Sequence, residues 1–347
     1  MRVLIIKTSS LGDVIHTLPA LTDAANHYPD IQFDWVIEES FQEIPKWHPT
    51  VNKVIPVALR RWRKDIWGML YSGEFKKMVS QIRQEKYDLV IDAQGLLKSA
   101  FLTVWARSNL KAGFSWKSAR ESLASLFYSK HTVVSWKEHA IFRTRSLFAR
   151  SLDYSLQQES PINYGLDSSR LPTMNLQGPY CVFLHGTTWA TKHWPETYWQ
   201  QLAQKVSEAG FKIQLLWGNE KEQERAKRIA SVSDKAFVVP EKLSLVQVAS
   251  VLSAAQGIVT VDTGLGHLAA AVGVPTISLY GPTDPGLCGT KGEAQIHLSS
   301  DFSCAPCYQR ECTYQGNKEV DPPCFSRLAP DRVWQTLETQ MAKRQAS

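Results

Sequence analysis

Arg2-Val-Leu-Ile-Ile-Lys-Thr-Ser-Ser-Leu-Gly-Asp-Val-Ile-His-Thr-Leu18 is the stretch on which the reading of the fold turns. Its unbroken apolar run from Val3 to Ile6 marks a strand covered on both faces, as in the middle of a parallel sheet. Lys7 to Gly12 is small and polar. The spacing of Val14, Ile15 and Leu18 then changes to a helical period. Strand, short loop and helix in that order begin a βαβ unit.

The same alternation continues outward along the chain. Strands are expected near Val3–Ile6, Phe33–Ile37, Val54–Val57 and Leu89–Asp92. A second series follows a polar stretch from Ser155 to Gly178, with strands near Cys181–His185, Ile213–Trp217, Phe237–Val239, Ile258–Val261 and Thr276–Tyr280. The expected fold class is α/β, with two Rossmann-like doubly wound parallel sheets in tandem. Residues 1–165 make the first domain and 175–327 the second, and the terminal segment 328–347 carries a helix, Pro330–Met341, expected to pack back on the first domain. Doubly wound sheets bind ligands at the carboxyl ends of their strands, so both domains are expected to face a central cleft.

A chain of 347 residues exceeds what one core usually organises, which agrees with two domains. With 44% hydrophobic and 21% charged residues it reads as an ordinary globular protein. The apolar opening is too short for a signal peptide or a bilayer span, so a cytoplasmic location is expected. The net charge of +6 is uneven: residues 1–165 hold 22 Lys and Arg against 16 Asp and Glu, and residues 166–347 hold 17 of each. The anionic partner is therefore expected on the first domain.

Three strand-to-helix junctions suit anions. In Lys7–Asp13, small residues admit a close ligand and the helix start adds free N–H groups. Asp13 stands where the helix dipole favours a carboxylate, which suits a base and equally suits a capping residue. In His185-Gly-Thr-Thr-Trp-Ala-Thr-Lys-His-Trp-Pro195, the hydroxyls of Thr187 and Thr188, backbone N–H groups and the Lys192 ammonium suit a diphosphate, and an ordinary turn with a solvated lysine suits the same pattern. In Val261-Asp-Thr-Gly-Leu-Gly-His267, the residues Asp262, Thr263, Gly264 and His267 surround another helix start, with plain capping as the alternative. Glu222, beyond a third strand end, can accept from ribose hydroxyls or lie solvated on a helix. Neither a Walker A loop nor the dinucleotide fingerprint is present.

Arg60-Arg61-Trp62-Arg63-Lys64 is the densest cationic run, and Arg120, His139 and Arg143 add basic candidates in the same domain. Trp62 and Trp67 have the amphipathic character of membrane-interface residues. Cys304-x2-Cys307-x4-Cys312-x11-Cys324 offers as many thiols as a structural zinc requires. Its later spacings depart from a standard second ligand pair, and a packed cluster of reduced thiols is the favoured reading.

Four motifs in order, KTSSLGDVIHTLPAL from Lys7, HGTTWATKHWP from His185, VDTGLGH from Val261 and YGPTDPG from Tyr280, resemble the bacterial ADP-heptose:lipopolysaccharide heptosyltransferases, glycosyltransferase family 9. The likeness runs from Met1 to about Gly289 and is strongest to the branch that places the first heptose on Kdo. It implies the GT-B architecture and inversion at the anomeric carbon with no metal cofactor. It further implies that Asp13 is the catalytic base and that Lys192 stabilises departing ADP. Thr187, Thr188, Lys192, Glu222, Asp262, Thr263, Gly264 and His267 would hold ADP-heptose. Ser10, Gly12, Arg60, Arg61, Arg63, Lys64, Arg120 and His139 would meet Kdo-lipid A at the cytoplasmic face of the inner membrane. The cysteine-bearing segment is closer to members that add later heptoses, which keeps a heptose acceptor as the alternative. A nicotinamide enzyme would need the missing glycine fingerprint, and a nucleic-acid binder would leave the second domain's loops unexplained, so no nucleic-acid partner is expected.

Overall fold

Val3, Leu4, Ile5 and Ile6 are completely buried, and the strand they form, β1 (Arg2–Ile6), lies inside a parallel sheet of six. This computed structural model describes residues 1–157, 160–174, 176 and 178–346. The remaining strands of the first sheet are β2 (Gln32–Glu38), β3 (Val51–Val57), β4 (Leu89–Asp92), β5 (Lys111–Phe114) and β6 (Lys130–Thr132), in the spatial order β3-β2-β1-β4-β5-β6. The second sheet comprises β7 (Tyr180–Leu184), β8 (Lys212–Leu215), β9 (Ala236–Val238), β10 (Gly257–Val261), β11 (Thr276–Tyr280) and β12 (Gln295–Ser299), in the order β12-β11-β10-β7-β8-β9. Each is a doubly wound sheet, and the direction of winding reverses between β1 and β4 in one and between β7 and β10 in the other. The chain divides into two compact units, Met1–Asp167 and Ser168–Ser347. Residue 175, the expected start of the second domain, lies outside the described residues.

Register places the chemistry. Ile6 sits beside Val36 on one side and Asp92 on the other, so Lys7 and Ala93 leave the sheet together. In the second sheet Thr260 pairs with Leu184, which brings the start of the 185–195 loop next to Val261 and Asp262.

Every strand expected from sequence is present, and three more, β5, β6 and β12, were not foreseen. Their sequences are Lys-Ala-Gly-Phe, Lys-His-Thr and Gln-Ile-His-Leu-Ser. They lie toward the sheet margins, where a strand does not need an apolar run to be stable.

The terminal helix runs Pro330–Ala346, and its packing corrects the expectation that it returns to the first domain. Val333, Leu337 and Met341 recur every four residues and are buried in the second unit's own core, with Phe183, Trp199 and Val259. Gly257 on β10 makes room for them, since a Cβ there would stand 2.7 Å from Leu337 Cδ1. Among the described residues no helix is long and apolar enough to cross a membrane.

Candidate functional site

In the first unit the loop after β1 is held by the strand next to it. Gln94, just past β4, accepts through Oε1 from the backbone N–H groups of Thr8 and Ser9, both at 3.1 Å. Lys7 is buried and donates from Nζ to Ala93 O at 2.9 Å. Its ammonium also stands 3.9 Å from Asp13 Oδ1. Asp13 lies in the first turn of the short helix Leu11–Ile15, whose N-cap is Ser10. Its Oδ2 accepts from Ser10 N at 2.9 Å and Ser10 Oγ at 2.8 Å. Asp13 therefore takes part in capping without being the cap itself, and a side chain 38% exposed leaves it accessible to solvent. Gly12, buried in the same turn, keeps the backbone slim there.

Gly95, with φ of 67°, turns the chain after β4, and Glu121 N donates to its carbonyl at 3.0 Å. This brings exposed Arg120 to the same end of the sheet as Asp13. Asp92 is completely buried below and accepts from Gln94 N, Gly95 N, Ser99 Oγ and Tyr128 OH. Burial pushes its carboxyl above the usual range, and these four donors pull the other way.

The cationic run is divided by the fold. Arg61 is engaged by two carboxylates, Glu74 at 3.1 Å and Glu39 at 3.3 Å, which neutralise the charge expected to meet an acceptor. Trp62, expected at a membrane interface, is buried and donates to Glu74 at 2.6 Å. Arg60 lies 5.3 Å over the Phe41 ring. Among the described residues Arg63 and Lys64 are exposed and meet no carboxylate. His139, expected to face an acceptor, is instead buried and accepts through Nδ1 from Ile141 N, capping the helix Ala140–Leu152. Arg143 on that helix donates to the carbonyls of Ser118, Val134 and Ser135 and stacks 3.9 Å over Trp136. Its guanidinium is a structural tie, and burial lowers its pKa.

The second unit holds a cavity of about 320 Å³ at the carboxyl ends of β7, β8 and β10. Leu216, Trp217, Val239, Leu243 and Val248 give it an apolar wall, and Thr187, Thr188, Glu222 and Thr263 supply polar groups. Such a mixture suits a flat heteroaromatic base joined to a hydroxyl-bearing sugar. Glu222 is fixed by accepting Gly218 N at 2.7 Å. A Cβ at Gly186 would lie 2.9 Å from the Glu222 carboxyl carbon, so a side chain there would displace that carboxylate from its place in the cavity.

Lys192, on the turn that follows, pairs with Asp262 at 2.7 Å, and its Nζ stands 4.4 Å over Trp189. Asp262 also accepts from Thr283 Oγ1 at 2.7 Å, and Thr187 Oγ1 donates to the Asp262 carbonyl at 3.1 Å. Thr263 is the N-cap of the helix Gly264–Ala271, on which His267 is buried. Of the residues expected to hold a donor, Thr187, Thr188, Glu222 and Thr263 line the cavity, while Lys192 and Asp262 form the adjoining ion pair. Thr283 and Gln94 were missed in sequence: a lone Thr in a Pro-containing turn and a lone Gln after a strand carry no spacing signal. Behind the loop, His185 is held down to about 3, by burial first and then by Arg225 and His193, so its ring is neutral.

Residues 75–318 match the family model of glycosyltransferase family 9 (heptosyltransferase). The chain is 55% identical to lipopolysaccharide heptosyltransferase 1 of Pseudomonas aeruginosa, over 98% of both chains. It is 50% identical to lipopolysaccharide heptosyltransferase 1 of Escherichia coli K12, over 85% of this chain and 92% of that one. Among solved structures, the E. coli heptosyltransferase WaaC with ADP superposes with a TM-score of 0.86 at 45% identity, covering 98% of this chain and all of the other. The same enzyme with ADP-2-deoxy-2-fluoro heptose gives 0.82, over 96% and 98%. Two doubly wound sheets, an anion-friendly loop at each reversal point and relatives alike over the whole length lead to one assignment: the chain belongs to glycosyltransferase family 9 and is a heptosyltransferase.

Proposed function

We propose that this heptosyltransferase moves L-glycero-D-manno-heptose from ADP-heptose to the Kdo residue of Kdo-lipid A, with inversion at the anomeric carbon. The observation that carries the donor half is the cavity of about 320 Å³ beside the Lys192–Asp262 pair. Adenine stacks against its apolar wall, Glu222 accepts from the ribose hydroxyls, and the diphosphate lies toward Lys192, Thr187, Thr188 and the helix start at Thr263–Gly264. That relatives have been solved with ADP and an ADP-heptose analogue supports the same reading.

Asp13 takes the proton from a Kdo hydroxyl as that oxygen attacks the anomeric carbon. The bond from that carbon to the diphosphate oxygen breaks, and ADP departs with the electron pair. Lys192, steadied by Asp262, and the N–H groups at Gly264 offset the charge that develops, so no metal ion is required for the step. ADP leaves already ionised, so no second proton donor is needed.

On the acceptor side, Ser10, Gly12, Arg60, Arg63, Lys64 and Arg120 meet the phosphates and carboxylates of the lipid. The helix Ile66–Tyr71, which follows Arg63 and Lys64, exposes Ile66, Trp67 at 71% and Tyr71 at 86%. Exposed aromatics next to unpaired cations suit an anionic lipid surface, and the enzyme attaches peripherally to the cytoplasmic face of the inner membrane. The test is a product assay with ADP-heptose and two acceptors, lipid A bearing Kdo alone and the same lipid already bearing heptose. Transfer to the first alone is expected; transfer to the second alone would reassign the enzyme to a later step of the core.

A further inference from the structure

The segment Asp301–Asp321 contains neither helix nor strand, and not one of its residues is buried. Loops of that length without secondary structure are uncommon, and this one has no core of its own to hold it. It nevertheless has defined partners in the donor-binding unit. Thr191 Oγ1 donates to Gln309 O at 2.6 Å, Tyr308 N donates to Pro282 O at 2.8 Å, and Arg310 lies 5.5 Å over Trp189. Tyr308 keeps φ of 54°, a left-handed conformation that a bulky residue holds only where its surroundings enforce it. Phe302, Ala305 and Val320 rest partly buried against the second unit's core, and a further tie would add to that hold.

Its three cysteines supply the means. Cys304, Cys307 and Cys312 line one small, partly open pocket of about 20 Å³ together with Cys324, beside Thr191, Gly281 and Pro282. All four are free thiols, and Cys324 is pressed against Gly281, where an added Cβ would lie 2.9 Å from its Sγ. We propose that Cys304, Cys307, Cys312 and Cys324 bind one thiophilic divalent cation, Zn2+ by preference, as a cross-link that anchors the loop against Thr191 and so steadies the turn carrying Lys192. Among the described residues no group of three or more His, Cys, Asp or Glu side chains stands where it could hold a metal ion as placed, so binding requires the four thiols to turn toward one another as the cation enters. In that step four S–H protons are released, four S–metal bonds form and no electron is transferred. The role is structural and does not depend on the identity of the sugar acceptor.

The experiment uses the untagged full chain purified without chelator. Elemental analysis is expected to find about one zinc or iron per chain. After chelation, Co2+ should restore about one equivalent with thiolate-to-cobalt charge-transfer absorption, which Zn2+ then displaces. C304S and C312S should lose the cation, whereas C288S, a thiol outside the cluster, should keep it. Proteolysis within residues 301–321 should accelerate about tenfold or more in the chelated protein, which reports the anchor without any assay of activity. Metal-free protein that gives no cobalt–thiolate band would overturn the proposal. So would a metal content that C304S and C312S leave unchanged, or a cleavage rate indifferent to chelation.

Discussion

Asp13 does two things with one carboxylate. Oδ2 is occupied by the Ser10 N–H and hydroxyl, while Oδ1 lies toward the Lys7 ammonium at 3.9 Å. Replacing it with asparagine keeps an oxygen for the Ser10 contacts and removes the basic group. Asp13→Asn should therefore lower turnover by about 10²- to 10⁴-fold while ADP affinity, measured by calorimetry, stays within about twofold. A variant with near-normal turnover would remove Asp13 from the mechanism. Lys192 has a different dependence, because its partner Asp262 is nearly buried. Among the described residues Lys192→Ala leaves that carboxylate with Thr283 as its remaining side-chain partner, and it should destabilise the C-terminal unit by up to about 3 kcal/mol in urea unfolding. It should also weaken ADP binding. Adding Asp262→Ala to that variant should recover much of the stability and none of the ADP affinity, since the cost comes from an unpaired buried charge.

At the level of elements, helices in the second unit owe their positions to apolar stripes that local sequence already displays. The helix Glu196–Glu208 buries Trp199, Leu202, Ala203 and Val206. The terminal helix does likewise with Val333, Leu337 and Met341. Leu337 is completely buried, so Leu337→Ala should cost about 2–5 kcal/mol, read as a lowered urea midpoint for the C-terminal unit. An unchanged midpoint would mean that this helix is not part of that core. Which core receives the stripe is not a property of the helix itself: a periodicity shows that a face must be covered and says nothing of what covers it. The small residue that accepts this one, Gly257, lies far away in sequence.

Over the whole molecule, the two units should respond differently to acid. In the C-terminal unit His185, His193 and His297 all have folded pKa values depressed, with burial the first cause. The unfolded chain then binds protons that the folded unit refuses. Stability from these groups is complete above about pH 6.5 and is lost as pH falls toward the folded value, about 3 for His185. Glu38 and Asp92 in the N-terminal unit are shifted upward, chiefly by burial, so the folded state takes up the proton more readily and acid favours it. Calorimetry between pH 7.5 and 5 should show the two transitions separating, with the C-terminal one, identified by its upward shift with ADP, falling first. Parallel movement of both transitions would contradict this.

Tandem doubly wound sheets, the junction loops and the family were legible in sequence. Buried parallel strands must be apolar throughout, and loops that approach phosphate must be small and polar, so composition at those positions is constrained locally. Tertiary structure alone decided the rest. It turned Arg61 to two glutamates, buried Trp62, committed His139 to capping, set Thr283 beside Asp262 and gathered four cysteines around one space. A side chain's charge or ring is written in the sequence, but its partner is chosen by which distant segments the folded chain brings within a few ångströms.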